Sequence, residues 1–287
     1  MAEKIALIGA GIMGSAIGTR LLECGHRLQV FDLDAEKVST LVLKGAVAAT
    51  SPADATAKSD FIILSLNHAR IVRAAVFGKD GVASAASPEK LLIDMSSIDP
   101  GETRDMAAQL TQMAWVDCPL SGGVPGALSG RLTVMAGGTP ENFERARVVM
   151  KDLCANYSLM GGNGAGQTTK LINQLFCAVA FQAVAEAVKL AEAGGVDPAK
   201  IPAALAGGRA DNAIMREFMA KFASRDYTPT GRLDNMLKDL ESVQSFALAT
   251  KTPLPMTSTV TEIHRLLIAM GLGSKDSAEV MRLLDGK

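Results

Sequence analysis

Three glycines, at positions 9, 11 and 14, leave the N-terminal part of this chain little choice of fold. Gly9-Ala10-Gly11-Ile12-Met13-Gly14 follows a short apolar run, Lys4-Ile5-Ala6-Leu7-Ile8. It opens a stretch with helical spacing from Ile12 to Cys24, which Gly25 stops. In a strand–turn–helix unit the first glycine permits the tight turn. The second lets a pyrophosphate approach the backbone, and the third lets the helix pack on the strand. The helix N-terminus then offers unpaired N–H groups and the positive end of its dipole to phosphate oxygens. Gly9, Gly11, Ile12, Met13 and Gly14 are therefore candidate cofactor-binding residues. A purely structural glycine turn would fit the same letters.

Asp32 stands 18 residues after Gly14, at the end of a second strand-like run over residues 28–31. A carboxylate at that place accepts hydrogen bonds from the adenine-side ribose of a dinucleotide. It also repels a 2′-phosphate, and Leu33 supplies no cation to compensate. Arg27 lies on the strand's entry side. The expected cofactor is NAD, with NADP the alternative.

Strand and helix patterns then alternate. Residues 61–66, 91–95 and 115–118 read as strands, and 35–44 and 102–113 as helices. This rhythm argues for an α/β doubly wound sheet. The strand pattern fades after residues 132–136. From 167 to 193 the chain is Ala-rich and free of Gly and Pro, which makes a helix about 40 Å long. Being apolar on most faces, it should be enclosed by other helices. Residues 199–206, 213–223, 233–249, 257–270 and 277–284 also read as helices. The division is expected in the glycine-rich stretch 161–166, giving domains 1–163 and 164–287.

The chain has 287 residues, 48% hydrophobic and 21% charged, and can bury an ordinary core. Its net charge of −1 excludes the basic excess that nucleic-acid binding uses, and 4% aromatics disfavour stacking on single strands. Cys24, Cys118, Cys154 and Cys177 form no CxxC pair, and His26, His68 and His264 add no ligand spacing. No metal site is expected. The cysteines read as free thiols in the cytoplasm. No signal peptide precedes the first strand, and no membrane partner is expected.

The letters that carry chemistry lie further on. Lys170, Asn173 and Gln174 share one helix face by their i, i+3, i+4 spacing, just past the glycine stretch. An amine and two amides there suit an oxygen-rich small molecule. Lys170 is the candidate acid/base, although a solvated or capping lysine would have the same spacing. Ser121-Gly122-Gly123 exposes successive N–H groups and a hydroxyl, a nest for a carboxylate or an ordinary turn. Two loops at strand ends, one with Leu66, Asn67 and His68 and one with Ser96 and Ser97, could line the cofactor. His68 reads rather as a surface residue at a helix start. Ser96 and Ser97 could equally cap the helix that follows. Cys118 has no assigned histidine partner and precedes proline, so it does not read as a nucleophile. Lys238-Asp239 lies mid-helix and could be no more than an exposed charged turn.

Taken in order, these blocks resemble the β-hydroxyacid dehydrogenase family over nearly the whole chain. The blocks are the glycine turn at 9–14, Leu92 to Ile98, Asp117 to Gly123, Gly164 to Gln174, and Lys238-Asp239-Leu240. The resemblance implies a Rossmann-like N-terminal domain, a long interdomain helix and an all-α C-terminal domain. It implies NAD(P)-dependent interconversion of a small 3-hydroxy acid and its 3-oxo acid. Lys170 would be the catalytic acid/base, and Asn173, with Gln174 beside it, would hold the substrate. Ser121, Gly122 and Gly123 would bind the substrate carboxylate. Ser97 and Lys238 would lie against the nicotinamide end, with Leu66 and Asn67 nearby. A homodimer or homotetramer is implied. Asn173-Gln174 is similar to the branch that reduces tartronate semialdehyde, as is Gly271-Leu272-Gly273. Cys118, Leu120, Asn235-Met236-Leu237 and the segment 207–212 depart from that branch. Imine reductases and non-catalytic relatives share the scaffold, and Lys170 counts against both. The chain is too short for a 6-phosphogluconate-type enzyme.

Overall fold

A computed structural model describes residues 2–286. They form two compact units, one running to Lys170 and one from Leu171 onward.

The first unit is built on a nine-stranded sheet: β1 (Lys4–Ile8), β2 (Arg27–Phe31), β3 (Val47–Ala48), β4 (Phe61–Leu64), β5 (Leu91–Asp94), β6 (Ala114–Asp117), β7 (Leu120–Ser121), β8 (Leu132–Gly137) and β9 (Cys154–Gly161). The strand order is β3-β2-β1-β4-β5-β6-β8-β7, with β9 on the other side of β8. The first six strands are parallel, and the order reverses direction between β1 and β4. Ligands of such sheets bind outside the carboxyl ends of the strands at that reversal.

The apolar runs are continuous because helices cover both faces. Alternate residues separate cleanly. Leu7, Ile63, Ile93 and Val116 stand in register across β1, β4, β5 and β6 and join one core. Ile8, Leu64, Leu92 and Trp115 join the other. On the first face the helix Ile12–Glu23 comes so close that a Cβ on Gly18 would stand 2.9 Å from Leu7.

Several elements differ from the sequence expectation. The strand pattern does not end at 136: β9 pairs in parallel with β8. It carries Asn156 and Ser158 and is only half-buried, because it is an edge strand and needs no continuous apolar run. The helices Ala69–Phe77 and Pro140–Met150 are further elements beyond those read from the pattern. The long helix begins at Ala165, inside the glycine stretch. Its later part, at Gly164 and Gly166, is tightly packed, whereas Gly162 is open. A Cβ on Gly164 would lie 2.7 Å from the Pro100 carbonyl oxygen, and one on Gly166 would lie 2.4 Å from that of Met135. The first helical turn therefore belongs to the sheet unit, and the compact unit runs on to Lys170.

The second unit is helical. Its core gathers Val184, Ala185 and Val188 of the long helix Ala165–Ala193 with Met215, Met219, Phe222, Leu233, Leu267 and Met281. By length and composition alone the long helix could cross a bilayer. Val184, Ala185 and Val188 of this helix pack in the helical core, and Lys189 donates to Asp285 at 2.8 Å. Short segments read as single helices divide into a 3-10 turn and a brief α-helix, at 198–205 and 277–285.

Candidate active site

The glycine turn separates what the protein itself requires from what a ligand would require. Gly9 has φ +100, and a Cβ there would stand 2.4 Å from the Ser65 carbonyl oxygen. A Cβ on Gly14 would stand 1.9 Å from the Gly9 carbonyl oxygen. Both positions exclude a side chain by internal packing. Gly11 differs: no protein atom lies within 4 Å of its Cβ position. It caps the helix Ile12–Glu23 without any side-chain bond, and no acid stands in the first turn. Ile12 is exposed and Met13 half-buried. The open backbone there fits a phosphate pair.

Asp32 is held ready at the tip of β2. Its Oδ2 accepts from the Ala10 N–H at 2.7 Å and its Oδ1 from the Asp34 N–H at 2.9 Å. The carboxylate is thereby tied to the glycine turn, beside the fully exposed Leu33. This combination fits a dinucleotide with a free ribose diol.

Beyond β4 and β5, the two serines have different fates. Ser96 is buried, and its hydroxyl accepts from the Leu66 N–H at 3.1 Å. Neither serine caps the next helix, because Asp99 does so through the Gly101 and Glu102 N–H groups. Ser97 is half-buried, as is Leu66, while Asn67 and His68 are exposed. His68 holds the N-cap place of its helix without a capping bond.

Two carboxylates that the sequence reading passed over organise this edge. Asp94 and Asp117 end β5 and β6, stand opposite each other in register, and are wholly buried. Asp117 accepts from the Gly164 N–H at 2.8 Å and from the Gln167 N–H at 3.1 Å, and so holds the first turn of the long helix. Burial pushes its carboxyl up to about 6 against the pull of those N–H groups. Burial pushes Asp94 up to about 7, and the Asp117 charge adds to this. Asp94 accepts from the Ser96 N–H on one oxygen only. An acid closing an otherwise apolar strand, twice in succession, was the available signal.

A consequence for stability follows. Unfolded aspartates ionise at about pH 4. Between about pH 4 and pH 7 the folded chain keeps protons that the unfolded chain has lost, so stability falls as pH rises through that window. Asp94→Asn removes part of this loss. Its melting temperature should drop less than that of the wild type between pH 5 and pH 8, by roughly 5 °C. Parallel melting curves against pH for the two proteins would remove Asp94 as the cause.

Ser121 closes β7, and Gly122 and Gly123 follow at φ +118 and +58. Side chains would be strained at both glycines, and the turn presents backbone rather than bulk. Cys118 is buried, and burial pushes its thiol well up, so it stays an un-ionised thiol. Lys170 lies half-buried in the second turn of the long helix. Thr168 and Thr169 there donate back to the Gly164 and Ala165 carbonyls.

In the helical unit, Asn173 donates to the Gln174 side-chain oxygen at 2.8 Å, and Gln174 donates to Asp239 Oδ2 at 2.5 Å. Asp239 Oδ1 stands 3.3 Å from the Lys238 ammonium. The helix Leu233–Thr250 thus joins Asn173 and Gln174 to Lys238 through Asp239. A cavity of about 180 Å³ adjoins Gln174 and Asp239, with Phe181, Phe218 and Met236 in its wall. Among the described residues no cluster of His, Cys, Asp or Glu could hold a metal ion.

The chain matches known families over nearly its whole length. Residues 4–162 match the family described as the NAD binding domain of 6-phosphogluconate dehydrogenase. Residues 164–284 match the one described as NAD-binding of NADP-dependent 3-hydroxyisobutyrate dehydrogenase. The chain is 34% identical to the 2-hydroxy-3-oxopropionate reductase of Escherichia coli, over 98% of this chain and 97% of that one. It is 35% identical to the NAD-dependent L-serine dehydrogenase of Pseudomonas aeruginosa, over 99% and 98%. Among solved structures, the 3-hydroxyisobutyrate dehydrogenase of Mycobacterium tuberculosis with L-serine superposes with a TM-score of 0.89 at 29% identity, covering 99% of each chain. With the open Gly11 turn, Asp32 and the Lys170 helix in place, the chain belongs to the NAD(P)-dependent β-hydroxyacid dehydrogenase family.

Proposed function

We propose that this enzyme reduces tartronate semialdehyde (2-hydroxy-3-oxopropionate) to glycerate with NADH. The observation that carries this reading is Lys170, Asn173 and Gln174 on one helix, with Gln174 tied through Asp239 to Lys238. The match to the Escherichia coli reductase over nearly the full chain supports the same substrate group.

The nicotinamide, when bound, supplies the hydride. The chain's own residues do the rest. The substrate carboxylate docks on Ser121, Gly122 and Gly123, whose backbone N–H groups and hydroxyl suit its oxygens. Asn173 orients the carbonyl, with Gln174 holding the Asn173 amide in place. Lys170, as ammonium, stabilises the developing alkoxide and gives it a proton. In the oxidative direction the neutral amine takes that proton back. Ser97, Leu66, Asn67 and Lys238 border the nicotinamide end. Gly9, Gly11, Ile12, Met13 and Gly14 receive the pyrophosphate, and Asp32 receives the adenine ribose. The Asp32 charge, unopposed beside Leu33, disfavours a 2′-phosphate, so NADH is preferred over NADPH.

A second reading draws on the apolar wall of Phe181, Phe218 and Met236 near Gln174. It would suit a methyl substituent, as in 3-hydroxyisobutyrate. We also place the enzyme in the cytoplasm, on cysteines that form no CxxC pair, and as a homodimer or homotetramer, on the exposed Ile172 and Phe176 of the long helix.

The deciding assay follows NADH and NADPH oxidation with tartronate, methylmalonate and succinate semialdehydes, and cofactor reduction with glycerate, 3-hydroxyisobutyrate and L-serine. Highest kcat/KM on tartronate semialdehyde with NADH is the expected outcome. A preference for methylmalonate semialdehyde moves the assignment to the second reading. Turnover of cyclic imines alone would refute both.

A further inference from the structure

We propose that Gln167 is a positioning residue for the reaction: it locks the loop carrying Ser97 to the helix turn carrying Lys170. The proposal rests on the roles given above to Lys170 and Ser97.

Gln167 is 1% exposed and lies in the first turn of the long helix. Its side-chain amide spans Ser97 on both flanks. Nε2 donates to the Ser96 carbonyl oxygen at 2.8 Å, and Oε1 accepts from the Ile98 N–H at 3.2 Å. Ser96 and Ile98 are themselves buried, so water cannot replace these bonds. The Gln167 backbone N–H is in turn held by Asp117 Oδ2. Lys170 follows three residues later on the same helix face. One side chain therefore fixes the separation between the serine loop and the lysine, from bonds spanning 71 and 69 residues of sequence. A displacement on the order of 1 Å between such groups costs on the order of a hundredfold in rate.

The chemistry of this grip is narrow. It needs a donor and an acceptor side by side on one planar group. A neutral amide has both, and so does a protonated carboxyl. A carboxylate cannot donate, and a thioether of the same length donates nothing and accepts only weakly. Gln167→Glu would stand beside a carbonyl oxygen, in a buried place close to Asp117 and Asp94, which raises its pKa. Its protonated form reproduces the glutamine grip.

The test compares Gln167→Met, Gln167→Glu and Lys170→Ala with the wild type. The readouts are kcat, KM and NADH affinity from pH 5.5 to 8.5, with melting temperatures alongside. Asp94 and Asp117 titrate in every variant, so each rate is taken as a ratio to wild type at the same pH. Gln167→Met should lower kcat about 10- to 100-fold at all pH values, with a smaller change in KM. The Gln167→Glu ratio should climb toward one as pH falls, whereas the Gln167→Met ratio stays flat. If Gln167→Met fails to fold, the pH profile of Gln167→Glu decides. A flat profile for Gln167→Glu, or wild-type kcat in Gln167→Met, overturns the proposal while leaving an inactive Lys170→Ala to support the mechanism. Ordinary turnover in Lys170→Ala would remove the mechanism itself, and the positioning role with it.

Discussion

Lys170→Ala is expected to lower kcat by roughly 10²- to 10⁴-fold while NADH binds as before. In the proposed mechanism the lysine would do two things, supplying a proton and placing a positive charge where the alkoxide forms. Alanine supplies neither. In the same proposal the cofactor's phosphates and adenine ribose fall to the glycine turn and to Asp32, which accepts from the Ala10 N–H. Their residues do not change in the variant, so NADH titration by fluorescence should be unaltered. Lys170→Arg separates the two contributions. Arginine keeps the charge but does not give up its proton near neutrality. It should recover substrate binding and little of kcat. Stopped-flow single turnovers would show whether the loss lies in the chemical step. Ordinary turnover in the alanine variant would mean that another group supplies the proton.

The second large effect is on folding. Gly14→Ala puts a methyl group 1.9 Å from the Gly9 carbonyl oxygen, against backbone that cannot turn away. The helix Ile12–Glu23 would have to lift from β1, disturbing the core around Leu7 and Ile17. A loss of roughly 3 kcal/mol or more is expected, read as a fall in melting temperature or as insoluble protein. Gly11→Ala is the informative contrast. Its methyl group meets no protein atom within 4 Å, so the melting temperature should hold. NADH affinity should fall about tenfold or more, since the second glycine is the point of closest phosphate approach. Unchanged NADH affinity in Gly11→Ala would displace the pyrophosphate from this turn. A wild-type melting curve for Gly14→Ala would mean that the turn yields more easily than its packing indicates.

Much of this site could be read from letters alone, because the relevant groups are local. The strand–glycine–helix turn occupies adjacent residues, and Asp32 follows at the spacing of one βαβ step. Lys170, Asn173 and Gln174 share a face by helical period. Buried strands announce themselves as apolar runs, since both faces of the sheet are covered. Edge strand β9 did not, since a half-buried strand with Asn156 and Ser158 has no such run. The glycine-rich stretch 161–166 read only as the place where the domains divide, because the letters do not show how tightly a glycine is packed. A glycine kept for close packing and one kept for mobility look alike until the Pro100 and Met135 carbonyls are in place.

Legible in the letters were many of the strands and helices, the glycine turn after β1 and the family resemblance. Each depends on short-range periodicity or on a motif whose parts are near neighbours. Which polar residues hold the carboxyl edge of the sheet together emerged with the packing. Asp117 reaches Gly164 and Gln167 across 47 and 50 residues, Gln167 reaches back to Ser96 and Ile98, and Gln174 meets Asp239 across 65. No local pattern encodes such pairs. They exist because burial leaves each donor and acceptor no partner but the one that folding brings to it.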